Sequence, residues 1–399
     1  MNYFNFICFS INLWEKRQDR KHRFMLSLAS RNDTGKVFYI EPPLNLIRLF
    51  LFPFKELNTK EKRQRWLRAL TFRKQEIKDD FYVLTPLFIL PLWRFYFIYT
   101  LNRLINIFVL KFQIGNYLLK KSVLWLYHPY DYCLLNFKFF NHLISCFDWA
   151  EDWSKFFVEF SESRLEFVDK LQKQMISKVE IVFTAWNSLK EKAKKIDPDS
   201  KFIPNASETE QFISTYADTP PYDIAEVTKP IIGYVGSIKD RVNFDIIKSI
   251  AENLATGSVV IIGNIQDTNL STPLPQQENI YYLGAKPYDT LAKYIKHFKV
   301  GLIPYKPELT EGEPTKQYDY LACGVPVVST DLNELYRIKD YIYIEKDSDN
   351  FVNRTIELAE QKISEQQKTQ YQEFAKENSW EARTKTIINV IKSKLQEMQ

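Results

Sequence analysis

Glycine is scarce in this chain, with 10 residues in 399. That scarcity argues against several glycine-rich phosphate loops, so a phosphate site must rest on helix ends and side chains. Cysteine is scarce as well. Cys8, Cys133, Cys146 and Cys323 show no CxxC spacing, which argues against a disulfide framework and leaves buried, reduced thiols as the expectation. His142 and Cys146 stand four residues apart; two ligands without a partner pair read as core packing. No clean run of about 20 apolar residues exists, so no spanning helix is expected. The opening MNYFNFICFSI lacks a basic n-region and a small-residue cleavage site. It reads as a first buried strand and not as a signal peptide. No solenoid-type repeat is visible.

What is present suits two domains with sizeable cores. The net charge of +5 hides an asymmetry. Residues 1–150 carry 23 Lys and Arg against 11 Asp and Glu, or +12; the rest carries 31 against 38, or −7. The basic first half is expected to meet something anionic: a membrane surface, a lipid-diphosphate acceptor or an anionic glycan. Nucleic acid is not expected, because no nucleic-acid-binding motif accompanies the charge. Residues 81–112 are the strongest membrane candidate, but Pro86, Pro91, Arg94 and Arg103 interrupt them. They read as a buried strand followed by an amphipathic helix. With Trp93, Arg94, Tyr96 and Arg103, that helix either lies on a bilayer or packs in the core. The expected location is cytoplasmic, with peripheral contact to the inner face of an anionic membrane through the basic half.

The first half gives a loose α/β pattern. Strands are expected at 3–9, 37–43, 81–86, 123–129, 144–147 and 179–185, with helices near 95–111, 162–177 and 187–195. Residues 55–78 form a basic excursion. TYADTPPYDIAEVTKP, at 215–230, has paired prolines and no periodicity, so it reads as a linker. The second half alternates cleanly between apolar strands (IIGYVGS, SVVIIGN, NIYYLG, VGLIPYK, PVVST, YIYIEK) and amphipathic helices. That alternation predicts a doubly wound parallel sheet.

The stretch VGLIPYKPELTEGEPTKQYDYLACGVPVVST, at 300–330, concentrates the chemistry. Glu311, Glu313, Thr315, Lys316 and Asp319 lie between two apolar strands, at a carboxyl strand end where open α/β sheets bind ligands. Pro314 suits a first helical position, Gly324 a left-handed cap, and Pro326 stops the helix. Lys316 lies in the first turn beside the helix N-terminus, which suits a phosphate. Asp319 is placed to accept bonds from sugar hydroxyls. An exposed helix with an ordinary Lys–Asp pair fits the spacing equally.

TEGEPTKQYDYLACGVPVVST resembles the nucleotide-binding signature of GT-B-fold glycosyltransferases of the family-four, group 1 type. In that signature two acidic residues have seven residues between them, here Glu311 and Asp319, and a small-residue run, Gly, Pro and a Val-Val strand follow. The second acid is usually Glu, so Asp319 is a shorter-reaching departure. The P-x-K-x-Y-[DE]-Y-L-A-x-G-x-P-V-V form is similar to that of bacterial polysaccharide and teichuronic-acid-type enzymes. Two partial matches lie in the first half. FIPNASETEQF, at 202–212, resembles an I-P-N-G-V-D junction with Ala206 in place of Gly; the other is Trp14-x-x-Arg17-Gln18-x-Arg20 with the later YIEPP.

The resemblance implies two Rossmann-like, doubly wound parallel-sheet domains facing a central cleft. Residues 1–215 form the acceptor-binding domain, 216–230 the linker and 231–380 the nucleotide-sugar domain, with a helix at about 381–399 packing back toward the first. It implies a hexosyltransferase-like enzyme using a UDP- or GDP-sugar as co-substrate and a glycan or lipid-linked acceptor. Retention of configuration, no bound cofactor and no metal follow from the same likeness. The donor-binding candidates are Gly236, Ser237, Lys239, Arg241, Glu313, Thr315, Lys316 and Asp319. Ser237 holds the usual Arg position, so Lys239 or Arg241 substitutes. The catalytic candidates are Glu311 and His128, the latter closing strand VLWLYHP. Trp14, Arg17 and Arg20 are the acceptor candidates; an exposed basic helix is the alternative there. Asp148, Trp149, Asp152 and Trp153 combine acids with aromatics but read as structure. Asp197-Pro198-Asp199 mimics a DxD metal motif and reads as a turn. A non-catalytic sugar-nucleotide-binding scaffold and a nucleotide-sugar epimerase remain as alternatives.

Overall fold

The computed structural model describes residues 3–14, 19–92, 94–115, 119–137, 141–153, 161–266 and 270–398. The chain divides into two compact units, residues 1–204 with 384–399, and residues 205–383.

The described strands of the first unit form an eight-stranded sheet. From one edge the order is Lys201–Phe202, Ile181–Thr184, Ile144–Trp149, Ser122–Leu126, Asn5–Phe9, Val37–Ile40, Phe81–Leu84 and Gln75–Lys78. All neighbours are parallel except the last pair, where Gln75–Lys78 runs antiparallel through a register shift. The central strands are buried at every position, as their unbroken apolar runs require of a sheet covered on both faces. The basic excursion is more ordered than its composition suggests. It holds helix Lys60–Leu70 and strand Gln75–Lys78, and before it come helices Leu46–Leu51 and Pro53–Glu56 and a short pairing of Leu44–Asn45 with Leu87–Phe88.

The described strands of the second unit form a six-stranded, wholly parallel sheet in the order Ile280–Tyr282, Ser258–Ile262, Ile231–Val235, Val300–Ile303, Val327–Thr330 and Tyr343–Glu345. The chain winds outward from Ile231–Val235 in one direction, then returns through Val300–Ile303 and winds in the other. The strand order therefore reverses between these two strands, which opens a crevice at their carboxyl ends. Gly263 shows how tight the packing is there. A Cβ on it would lie 1.8 Å from the Gly236 carbonyl oxygen.

The helix of the 300–330 stretch starts later than expected, running Lys316–Ala322 with Thr315 as its N-cap. Gly324 takes φ +73°, as its capping place requires. The helix has no exposed face: all seven residues are buried. Lys316 is 8% and Asp319 6% exposed, so the reading as an exposed ion pair on a solvated helix is overturned.

Candidate functional site

The crevice in the second unit is built by two loops that run side by side. The loop after Ile231–Val235 carries Gly236, Ser237, Lys239 and Arg241. The loop after Val300–Ile303 carries Tyr305. The Asn243 amide donates to the Pro304 carbonyl at 2.7 Å, and the Lys306 amide donates to the Arg241 carbonyl at 2.7 Å. A bridge between Val242 and Tyr305 aligns the two loops.

Lys316 reaches into this corner from the helix. Its Nζ sits 3.8 Å from the centre of the Tyr234 ring and 4.7 Å from that of Tyr305. Arg241 covers the Tyr305 ring at 4.5 Å, and its Nη2 donates to the Tyr305 hydroxyl at 3.4 Å. The Tyr234 hydroxyl donates to the Ser237 carbonyl at 2.9 Å and so ties the loop to its strand. A Cβ on Gly236 would lie 2.5 Å from Lys316 Nζ. The glycine is what allows the lysine to lie against that backbone.

The electrostatics follow from this geometry. Burial first, then the neighbouring Tyr305 phenol, push Tyr234 well above its ordinary value. Tyr305 moves the other way. Burial opposes its ionisation, but the Lys316 ammonium and the Arg241 guanidinium outweigh burial and bring the phenol down to about 8. Two cations held on aromatic faces favour an anion placed between them. Arg241 Nε is buried and has no hydrogen-bond partner among the described residues.

The acidic residues of the stretch divide three ways. Glu311 is exposed, as is Thr315, whose hydroxyl makes no capping bond. Glu313 turns inward. Its carboxylate accepts from Gln317 Nε2 at 2.9 Å and from the Tyr318 hydroxyl at 2.6 Å, and it pairs with Arg337. Burial raises its pKa against the pull of Arg337. Asp319 accepts from the Ser207 hydroxyl and, at 3.1 Å, from that of Tyr288. Ser237 and Lys239 are half-buried on the crevice loop. The structure thus brings Gly236, Arg241 and Lys316 together, while Glu313 and Asp319 face protein partners. Tyr234 and Tyr305 were not among the expected residues. Their signal was position: Tyr305 is the second residue beyond an apolar strand that ends at the switch point.

In the first unit, Arg17 lies outside the described residues. Arg20 is buried and pairs with Asp148, Nη2 to Oδ1 at 2.9 Å, while its guanidinium stacks on Phe24 at 4.5 Å. Trp14 is buried against Phe81, Tyr39 and His22, and its amide donates to Glu41 Oε1 at 2.9 Å. The reading of these two as an exposed basic helix fails, because both are core groups. His128 is half-buried, with its ring 4.6 Å from that of Trp153. Its Nδ1 accepts from the Tyr130 amide at 3.1 Å, which leaves the proton on Nε2. Burial, then the charge of Arg103, lower its pKa to about 3. Asp197 accepts from the Asp199 amide at 3.1 Å, the bond of an Asx turn.

Comparison with known proteins agrees with this architecture. Residues 229–361 match the family described as Glycosyl transferases group 1. A Bacillus subtilis (strain 168) protein named for teichuronic acid biosynthesis, the glycosyltransferase TuaH, is 27% identical over 118 residues. That match covers 28% of this chain and 30% of the relative, so the shared segment is under a third of either protein. Among solved structures, sucrose-phosphate synthase from Thermosynechococcus elongatus superposes with a TM-score of 0.64 at 11% identity, covering 98% of both chains. The E. coli trehalose-6-phosphate structure bound with UDP-2-fluoro glucose gives 0.65 at 11%, covering 97% of this chain and 99% of its own. Anabaena HepE in complex with UDP-glucose gives 0.62 at 11%, covering 98% and 100%. The class is therefore a GT-B-fold protein, two parallel α/β units in one chain. Its second unit carries the group 1 glycosyl transferase segment.

Proposed function

We propose that the chain is a glycosyltransferase that moves a sugar from a nucleotide-sugar donor to a glycan or lipid-linked acceptor. The carrying observation is the convergence of Lys316 and Arg241 on Tyr305 and Gly236 at the switch point of a parallel sheet. As the bond between the anomeric carbon and the phosphate oxygen breaks, negative charge grows on the leaving diphosphate. Fixed cations there stabilise the transition state more than the ground state. Lys316 and Arg241 take that role, with Gly236, Ser237, Lys239 and Thr315 shaping the approach of the phosphates. Two protein cations supply the positive charge that a metal would otherwise bring, which supports a metal-independent reaction; retention of configuration is proposed on the family likeness. The bound UDP-sugars of two structural neighbours favour a UDP-sugar as the donor. Glu311, exposed beside the crevice loop, and His128, a neutral Nε2–H donor, are proposed to act on the reacting sugars. Asp319 and Glu313 position the helix, through Ser207 and Arg337. A role in surface polysaccharide biosynthesis fits the teichuronic-acid relative, and the basic first half fits an anionic glycan or a lipid diphosphate.

A thermal-shift panel of UDP-, GDP- and TDP-sugars tests the donor site. A specific donor at 100 times its dissociation constant stabilises the fold by about 2.7 kcal/mol. No shift with any nucleotide sugar overturns the reading. A shift without turnover across glycan and lipid-linked acceptors makes the chain a sugar-nucleotide-binding scaffold instead.

A further inference from the structure

Helix Tyr96–Ile114 in the first unit packs Tyr99, Ile107, Leu110 and Ile114 into the core and carries polar residues on the same buried face. The face packed inside includes Asn102, Arg103 and Asn106. Asn102 Oδ1 accepts from the amides of Ile89 and Leu90 at 2.9 and 3.0 Å. Arg103 pairs with Asp131 at 2.8 Å, and its Nε donates to the Tyr99 hydroxyl at 2.9 Å. Of the two readings of this helix, on a bilayer or in the core, Arg103 takes the core one. The opposite face is apolar and exposed. Phe97, Phe108 and Phe112 lie along it at helical spacing, Phe112 being 89% exposed.

The face continues into the basic excursion. Gln113 Nε2 donates to the Phe72 carbonyl at 2.6 Å, which joins the end of this helix to the end of Lys60–Leu70. Phe50 and Phe54 project from the two short helices before it, Phe54 being 92% exposed. Phe72 and Leu92, both exposed, hold φ of +54° and +57°, a conformation that bulky side chains rarely adopt. Isolated exposed apolar residues need no explanation, but a run of large aromatic ones on neighbouring elements does.

Charge decides what covers this face. Residues 46–74 carry nine Lys and Arg against two Glu. Lys55, Lys60, Arg73 and Lys74 are exposed and lie close in sequence to Phe54 and Phe72. A second copy would bring the same cations against these ones. A layer of anionic headgroups over an apolar interior matches both the rings and the charges.

We propose that the first unit docks on an anionic lipid bilayer through this aromatic and basic face, with Phe54, Phe97 and Phe112 entering the interface. Among the described residues no helix is long and apolar enough to cross a membrane, so the contact is interfacial. This docking stands apart from the donor crevice and does not depend on it.

Flotation of the full chain with vesicles tests it, using phosphatidylglycerol mixed with phosphatidylcholine and phosphatidylcholine alone. The chain floats with the anionic vesicles, and high salt releases much of it. The triple variant Phe54→Ser, Phe97→Ser, Phe112→Ser loses about tenfold in partitioning per residue. The variant Lys55→Glu, Lys60→Glu, Arg73→Glu loses the preference for anionic over neutral vesicles. Both keep the wild-type melting temperature and the wild-type shift with a nucleotide sugar, because the changed side chains are exposed and far in sequence from the donor loops. Failure to float with anionic vesicles overturns the proposal, as does equal flotation of the aromatic variant. A dimer in sedimentation that the aromatic variant abolishes, without vesicle binding, also overturns it and gives the face to a second copy.

Discussion

Lys316→Met separates the donor reading from a purely structural one. Methionine fills nearly the same volume between Tyr234 and Tyr305, so packing is kept and only the ammonium is lost. In the unliganded protein two terms oppose each other. The variant loses cation–π contacts worth about 1–2 kcal/mol, and it is relieved of holding a charge in a buried site. Stability is therefore expected to change by no more than about 1 kcal/mol. Catalysis has no such compensation. A fixed cation that meets the leaving diphosphate is worth about 100- to 1,000-fold in kcat, and sugar-nucleotide turnover by the purified variant is expected to fall by that much. A second readout does not need substrate. Lys316 and Arg241 hold the Tyr305 phenol at about 8 despite its burial. Without the ammonium, burial regains the upper hand and the phenol climbs. Absorbance titration then loses one tyrosinate near pH 8. The sign is definite: a phenol held below its ordinary value adds stability as pH rises from about 8 toward 10, and nothing at neutrality. Turnover within about threefold of wild type, or an unchanged tyrosinate titration, would refute the assignment of Lys316.

Gly236→Ala puts a methyl group 2.5 Å from Lys316 Nζ at a φ of +151°. The flexible lysine end can move, but alanine rarely adopts that φ, so the melting temperature drops and donor-induced stabilisation is lost; an unaltered donor shift counts against the crevice. Glu313→Gln removes the carboxylate that pairs with Arg337, a partly exposed guanidinium that still donates to the Tyr318 hydroxyl, at a cost of about 1–3 kcal/mol. Thermal unfolding measures it, and a loss under about 1 kcal/mol would show that water already satisfies Arg337. His128 is held neutral with its pKa lowered to about 3, so its contribution to stability is present above the unfolded value of about 6.5 and is lost as pH falls toward 3. Acid unfolding of His128→Gln is therefore flatter across that window, and the wild-type rate profile shows no inflection near pH 6.5 arising from this ring.

The winding of the second unit was legible because its strands are short apolar runs separated by helices with one apolar face. Alternation alone gave a doubly wound parallel sheet; that Ile231–Val235 and Val300–Ile303 are neighbours at the switch point is visible only in the structure. The choice of Lys316 rested on its place in the first turn of the helix that follows the loop after a buried strand. Its neighbours were not legible. Tyr234 and Tyr305 sit in apolar strand sequences and read as core, and only the alignment of Val242 with Tyr305, residues far apart in the chain, lays Arg241 on that ring. Glu313 was misleading for the converse reason. A glutamate in a polar loop carries no mark of the arginine, tyrosine and glutamine that enclose it.

Helix Tyr96–Ile114 shows the limit most clearly. Its polar residues, Asn102, Arg103 and Asn106, define a stripe that periodicity assigns to solvent. The structure buries these residues beside Tyr99, Ile107, Leu110 and Ile114, and two of them find partners elsewhere: Asn102 in the backbone at 89–90, Arg103 in Asp131. Phe97, Phe108 and Phe112 are left on the exposed side of the helix. A sequence cannot supply the partners of a buried charge, since they come from another element and cost as much as they return unless the geometry is right.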